Sequence, residues 1–122
     1  MGNGKNPLVS IVALFYNQQG YVKDTVEALF AQTYENCEII LSDDCSSDGT
    51  ADVLRKLASE YNGVHKVIVN VNKKNLGIGN NFKNAMAMSH GEWIVTCGGD
   101  DVFERERVRH IVEYANRNVC TT

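Results

Sequence analysis

Along 122 residues, four short apolar runs rich in β-branched side chains alternate with four segments whose apolar residues recur every three or four positions. The period switches from strand to helix and back throughout, and this alternation restricts the fold more than any other feature. Leu8 to Phe15 is nearly continuous apolar sequence, as a strand covered on both faces requires. Tyr16-Asn17-Gln18-Gln19-Gly20 interrupts it, and Tyr21 to Gln32 sets Val22, Val26, Leu29 and Phe30 on one helical face. Cys37 to Ser42 reads as a second strand. The polar stretch that follows runs into a helix bearing Val53, Leu54, Leu57 and Ala58, with Ser47 or Asp48 as its N-cap. Val64 to Val71 is a third strand, followed by a polar loop with Gly77 and Gly79 and a helix carrying Phe82, Ala85, Met86 and Met88. Glu92 to Cys97 is a fourth strand that stops at Gly98-Gly99-Asp100-Asp101, and Val108, Ile111, Val112 and Ala115 mark a last amphipathic helix.

Helical crossovers between successive strands make neighbouring strands parallel, with right-handed connections. The expected fold is therefore α/β, a Rossmann-like doubly wound parallel sheet of four strands in the order 3-2-1-4. A chain of this length suits one domain, assigned to residues 8–118 after a flexible N-terminus at 1–7.

Composition removes several classes of function. Charged residues are 22% of the chain and the net charge is −3, with both signs mixed along it, so no basic face for nucleic acid is expected. No apolar run approaches the roughly 20 residues of a membrane-spanning helix. No transmembrane segment is expected in this chain, and its expected location is cytoplasmic. Cys37, Cys45, Cys97 and Cys120 form no CxxC pair and no zinc spacing, which suits buried thiols in a reducing compartment. His65, His90 and His110 lie in separate segments, and surface or capping roles are expected for them.

In an open parallel sheet, ligands bind beyond the carboxyl ends of the strands, where the strand order reverses. The loops at those ends hold Phe15-Tyr16-Asn17, Asp43-Asp44, Asn75-Leu76-Gly77 and Gly98-Gly99-Asp100-Asp101. Two pairs of adjacent carboxylates at one sheet edge repel unless a cation or ligand donors intervene. Plainer readings stand beside these. Asp43 and Asp44 suit a turn, Asp48-Gly49-Thr50 a helix cap, and Asn75, Gly77 and Gly79 unusual backbone angles. The acids after Gly98-Gly99 are the least plain, because glycines admit a ligand closely and hard carboxylates suit Mg²⁺ or Mn²⁺ with phosphate oxygens.

Val9-Ser10-Ile11-Val12 through Tyr16-Asn17, Ala31-Gln32-Thr33-Tyr34, and Glu38-Ile39-Ile40 through Asp43-Asp44-Cys45-Ser46-Ser47-Asp48-Gly49-Thr50 resemble the opening of family-2 glycosyltransferases of the GT-A fold. Asn75-Leu76-Gly77, Gly91-Glu92-Trp93-Ile94 and Asp100-Asp101 continue the likeness in order, over residues 8 to about 115. The resemblance implies a domain that holds a UDP- or dTDP-sugar, with Leu14, Phe15, Tyr16, Asn17, Asp44, Asn75, Gly77 and Asp100 at the nucleotide. Asp44 would accept the imide N–H of uracil. Asp100, with Asp101 beside it, would bind Mg²⁺ or Mn²⁺ bridging the diphosphate, the metal serving as Lewis acid.

The sequence departs from the family pattern in three places. Leu14 and Phe15 stand where proline and then threonine or serine are usual, Gly98 replaces the first acid of the Asp-x-Asp motif, and Lys83 only neighbours the position of a frequent arginine. By the same resemblance, the acceptor-binding half, absent here, carries the carboxylate base for a single inverting displacement onto a glycan or lipid-linked acceptor. The fragment alone is then expected to be inactive, and its parent to work in cell-surface polysaccharide synthesis, peripheral to the inner face of the membrane. A non-catalytic nucleotide-binding module is the alternative. A receiver-like signalling domain fits less well, since the first strand ends in Tyr16-Asn17 without an acid pair and no fifth strand follows.

Overall fold

The computed structural model describes residues 6–118. The elements alternate as β1 (Val9–Phe15), α1 (Val22–Phe30), β2 (Cys37–Asp43), α2 (Thr50–Glu60), β3 (Lys66–Val71), α3 (Ile78–Ala87), β4 (Trp93–Gly98) and α4 (Arg107–Asn118). All strand pairs are parallel and the sheet order is β3-β2-β1-β4. The expected fold and order are those found.

Strand parity divides the core. Val9, Ile11, Ala13 and Phe15 of β1 and Cys37, Ile39 and Leu41 of β2 join Val26, Leu29, Leu54, Val108 and Val112 in the larger cluster. Val12 and Ile40 point to the other face, where Ala85 of α3 meets them and Leu14, Phe82, Met88 and Ile94 pack around. Each fully buried Leu, Ile or Val side chain contributes roughly 1.5–3 kcal/mol relative to exposure. The middles of β1 and β2, Ile11–Phe15 and Ile39–Leu41, read as unbroken apolar sequence because both faces are covered.

Register then decides where chemistry can lie. Phe15 pairs with Asp43, Asp43 with Val71, and Leu14 with Gly98, so all four strands end at one edge. Backbone bonds extend that edge by one residue: the Asp44 N–H donates to the Phe15 carbonyl and the Asn72 N–H to the Asp43 carbonyl, both at 2.9 Å.

Several local expectations change. The third strand starts at Lys66, since Val64 is exposed beyond a turn. The N-cap position of α2 is Gly49, neither Ser47 nor Asp48. Asp48 instead accepts the Thr50 N–H at 2.9 Å, satisfying that donor from one residue earlier. Residues 1–5 of the N-terminal stretch, and Cys120, lie outside the described residues. Asn6 and Pro7 are held: Pro7 is buried and its carbonyl accepts the Tyr34 hydroxyl, while the Asn6 carbonyl accepts from Asn36.

Candidate functional site

Asp43 and Asp44 are adjacent in sequence but face opposite sides of the sheet. Asp43 ends β2 and turns its carboxylate to the Ser46 N–H at 2.8 Å and the Ser46 hydroxyl at 2.6 Å. It is a turn residue, as the plainer reading has it. Asp44 lies on the α3 side, where Oδ1 accepts from the Leu76 N–H (2.8 Å) and Asn72 Nδ2 (3.0 Å), and Oδ2 accepts from the Gly77 N–H (2.9 Å). Burial alone would raise its pKa and is the largest influence. Together the donors from Leu76, Asn72 and Gly77 outweigh it and hold the carboxyl below its ordinary value. The expected repulsion between acid pairs is therefore relieved here by the chain's own donors.

A crevice of about 440 Å³ opens at this edge between β1, β4 and the start of α3. Asp44 and Asp100 both line it, together with Leu14, Phe15 and Tyr16. Gln18, Ile78, Asn81, Thr96, Cys97, Gly98 and Gly99 complete the wall, and none of these seven was singled out as a nucleotide-binding residue by sequence. Asn81 had a legible signal. It shares a helical stripe with Phe82, Ala85 and Met88, where a polar side chain is out of place. Gln18 had none.

Asn17, Asn75, Gly77 and Asp101 are not on the crevice wall. Asn17 has a left-handed backbone (φ 53°), and its Oδ1 accepts the Ser47 N–H at 2.8 Å, tying the loop after β1 to the loop after β2. Asn75 accepts the Gly77 N–H at 3.0 Å. Gly77 sits at φ 89°, ψ 161°, a region open essentially to glycine alone, and so aims its N–H at Asp44. These three residues shape the loops that hold Asp44.

The loop after β4 is built for close approach. A side chain at 99 would collide with the Gln18 amide and come within 2.8 Å of the Phe15 ring. At Gly98 the space is open, since a Cβ there would meet only Asp100 Oδ1 at an ordinary 3.5 Å. Packing would therefore admit a side chain where the family motif has its first acid. Among the described residues, no three His, Cys, Asp or Glu side chains converge as a metal cage. Asp100 and Asp101, exposed and adjacent, fit the other mode of binding, in which one or two carboxylates share a divalent ion with phosphate oxygens and water.

The remaining cysteines and histidines lie mainly outside this chemistry. Burial pushes the Cys37 and Cys97 thiols up to about 12, and Cys45 is half-buried. His65 corrects the expectation of surface or capping roles: it is 6% exposed, its ring stacks on Tyr61, and Nε2 lies 3.0 Å from the Gln32 carbonyl. Spacing along the chain carried no sign that α1 ends beside it. His90 and His110 are exposed, each beside a glutamate, Glu38 and Glu106 respectively.

A sequence model of the family described as "Glycosyl transferase family 2" matches residues 10–121. Bacillus subtilis TuaG, named as a teichuronic acid biosynthesis glycosyltransferase, is 28% identical over 114 residues, covering 93% of this chain and 44% of TuaG. An uncharacterized glycosyltransferase of Haemophilus influenzae is 32% identical over 112 residues, covering 92% of this chain and 34% of its own length. The chain thus spans less than half of these relatives. Two solved structures share the fold. S. aureus TarS in complex with UDP has a TM-score of 0.78 at 21% identity, over 89% of this chain and 32% of that one. The Pyrobaculum calidifontis mannosyltransferase PcManGT, in complex with GDP-Man and Mn²⁺, has a TM-score of 0.82 at 18% identity, over 95% and 33%.

Proposed function

The chain belongs to glycosyl transferase family 2, and on that premise we propose that the crevice beside β1 and β4 holds the nucleoside diphosphate of a UDP- or dTDP-sugar donor. The observation that carries this reading is that Asp44 and Asp100 both belong to the wall of one crevice at the carboxyl edge of the sheet. The base lies toward Asp44, which keeps a lone pair for an imide N–H. Leu14, Phe15 and Tyr16 supply the apolar and aromatic surface along it. The diphosphate lies toward Asp100, where Gly98 leaves room. Asn17, Asn75 and Gly77 serve the nucleotide indirectly, by holding the loops around Asp44.

Asp100, with Asp101 beside it, would hold Mg²⁺ or Mn²⁺ together with the phosphate oxygens. When bound, that ion supplies Lewis-acid stabilisation of the departing diphosphate. The chain's own residues bind and orient the donor. The base that activates a glycan or lipid-linked acceptor, for a displacement with inversion, is assigned to the acceptor-binding half, which these residues do not include. The 122-residue chain alone is then a binding domain without transfer activity. The parent enzyme is assigned to cell-surface polysaccharide synthesis in the cytoplasm, at the inner face of the membrane. Among the described residues no helix is long and apolar enough to cross that membrane.

The test is thermal unfolding with nucleoside diphosphates. UDP or dTDP with Mn²⁺ should raise Tm, and Asp100→Ala should reduce the shift while leaving the Tm of the free protein nearly unchanged. Equal, flat responses to every nucleoside diphosphate with metal would refute the reading.

A further inference from the structure

Asn81 belongs to none of the motifs that mark the family, yet it is 2% exposed and forms part of the crevice wall. Its surroundings are unusually polar for a helix face against a sheet. Ser42, Asn70, Asn72 and Asn84 join it in one cluster under Asp44.

The direction of the key amides is set by two groups that can only accept, the Asp44 carboxylate and the Ser42 carbonyl. Asn72 must present its NH₂ to Asp44 Oδ1 (3.0 Å), and Asn81 must present its NH₂ to the Ser42 carbonyl (3.2 Å). The second N–H of Asn72 then goes to Asn81 Oδ1 (3.0 Å), to which the Ser42 hydroxyl also donates (2.6 Å). Both lone pairs of the Asn81 oxygen are engaged. One N–H remains, and it is the only polar site Asn81 can offer a ligand.

Asp44 is the complement. Oδ1 already accepts twice, from Asn72 and Leu76, while Oδ2 accepts only from Gly77 and keeps one lone pair. A single nitrogen, Asn72 Nδ2, stands 3.0 Å from both Asp44 Oδ1 and Asn81 Oδ1, so the two side chains that carry the spare acceptor and the spare donor are neighbours. Neither can turn away, because each is held by three protein hydrogen bonds.

We propose that Asn81 is a specificity-determining residue of the donor site, giving its spare N–H to the ring carbonyl next to the base N–H that Asp44 accepts. This rests on the nucleotide-sugar reading above and deepens it: the site takes a pyrimidine carrying an imide, uracil or thymine. With ribose and diphosphate held in place, cytosine would set its unprotonated ring nitrogen against Asp44 and, where the 4-carbonyl is the one Asn81 meets, its amino group against Asn81 as well. A site built to hydrogen-bond rejects such a mismatch strongly, because its buried groups are left unpaired.

Calorimetric titration of the 122-residue chain with Mn²⁺ tests this, using UDP, CDP, N3-methyl-UDP, 2-thio-UDP and 4-thio-UDP. Sulfur for oxygen weakens one carbonyl acceptor and keeps the imide N–H. The wild type should bind one of the two thio analogues roughly fivefold more weakly than UDP. Asn81→Ala should bind UDP weaker by a similar factor, lose that preference, and discriminate less against CDP. Equal wild-type affinity for UDP and both thio analogues overturns the proposal, as does an alanine variant that keeps the thio preference. Should Asn81→Ala fail to fold, the wild-type thio series decides alone. N3-methyl-UDP reports on Asp44 independently of Asn81. If the wild type binds no UDP at all, the donor-site reading fails and this inference with it, whereas UDP binding indifferent to both thio substitutions overturns the inference only.

Discussion

At the scale of single residues, Asp44 has two duties that can be separated. Its carboxylate receives the Leu76 and Gly77 N–H groups and the Asn72 amide, so Asp44→Ala strands three donors at a buried site. Each buried donor left unpaired costs about 1–3 kcal/mol, and water entering the gap recovers part of that. Asp44→Ala should therefore destabilise the protein by at least about 2 kcal/mol, seen as a lower urea midpoint at unchanged m-value. Asp100 contrasts with it. Its side chain is exposed, so Asp100→Ala should stay within about 0.5 kcal/mol of wild type. A variant pair that loses stability at 44 and ligand response at 100 would match both assignments. The reverse pattern would contradict them.

At the scale of elements, the turn from β3 into α3 is what delivers donors to Asp44, and two glycines in it play different parts. Gly77 lies at φ 89°, and a Cβ added there would meet nothing within 4 Å, so the cost of a side chain is backbone strain alone. Gly77→Ala should cost roughly 1–3 kcal/mol. Gly79 is inside α3, also with open space where a Cβ would stand and no positive φ. Gly79→Ala should stabilise by up to about 1 kcal/mol, because alanine favours the helix. Chemical denaturation of the two variants side by side checks the opposite signs. In the sequence these glycines look equivalent. Only the path of the chain past Asp44 tells them apart.

At the scale of the whole molecule, the buried carboxylates of Glu38 and Asp44 sit at opposite ends of β2, about 20 Å apart by strand rise. Glu38 accepts the Ser10 hydroxyl at 2.6 Å and the His90 N–H, with His90 Nδ1 3.0 Å away, which fastens the turn before β4 to β1. Burial is the largest influence on Glu38 and raises its pKa, but the bonds from Ser10 and His90 prevail and leave it below the ordinary 4.5. Asp44 is likewise held below 3.8. A carboxyl with a depressed folded-state pKa adds stability above its unfolded pKa and loses it as pH falls through the folded value. The chain should therefore lose stability on acidification from about pH 4.5 downward. Glu38→Gln and Asp44→Asn should each flatten part of that fall, and near-additively because the sites are distant. Urea midpoints from pH 7 to pH 2.5 provide the measurement.

The alternation of periods in this sequence determined the element order, the parallel sheet and its edge, because burial on both faces makes the middles of β1 and β2, Ile11–Phe15 and Ile39–Leu41, continuously apolar and helical crossovers leave few topologies. The same local chemistry marked the four loops at that edge, two of which carry Asp44 and Asp100. What lies beyond reach of local pattern is which neighbours share a face. Strand parity sends Asp43 to a turn and Asp44 to the crevice, and the packing of α3 brings Asn81 across 39 residues to Ser42. Hydrogen-bond satisfaction is a property of assembled surfaces, so the one N–H left to Asn81 and the one lone pair left to Asp44 Oδ2 are settled only once the sheet and α3 have closed on each other.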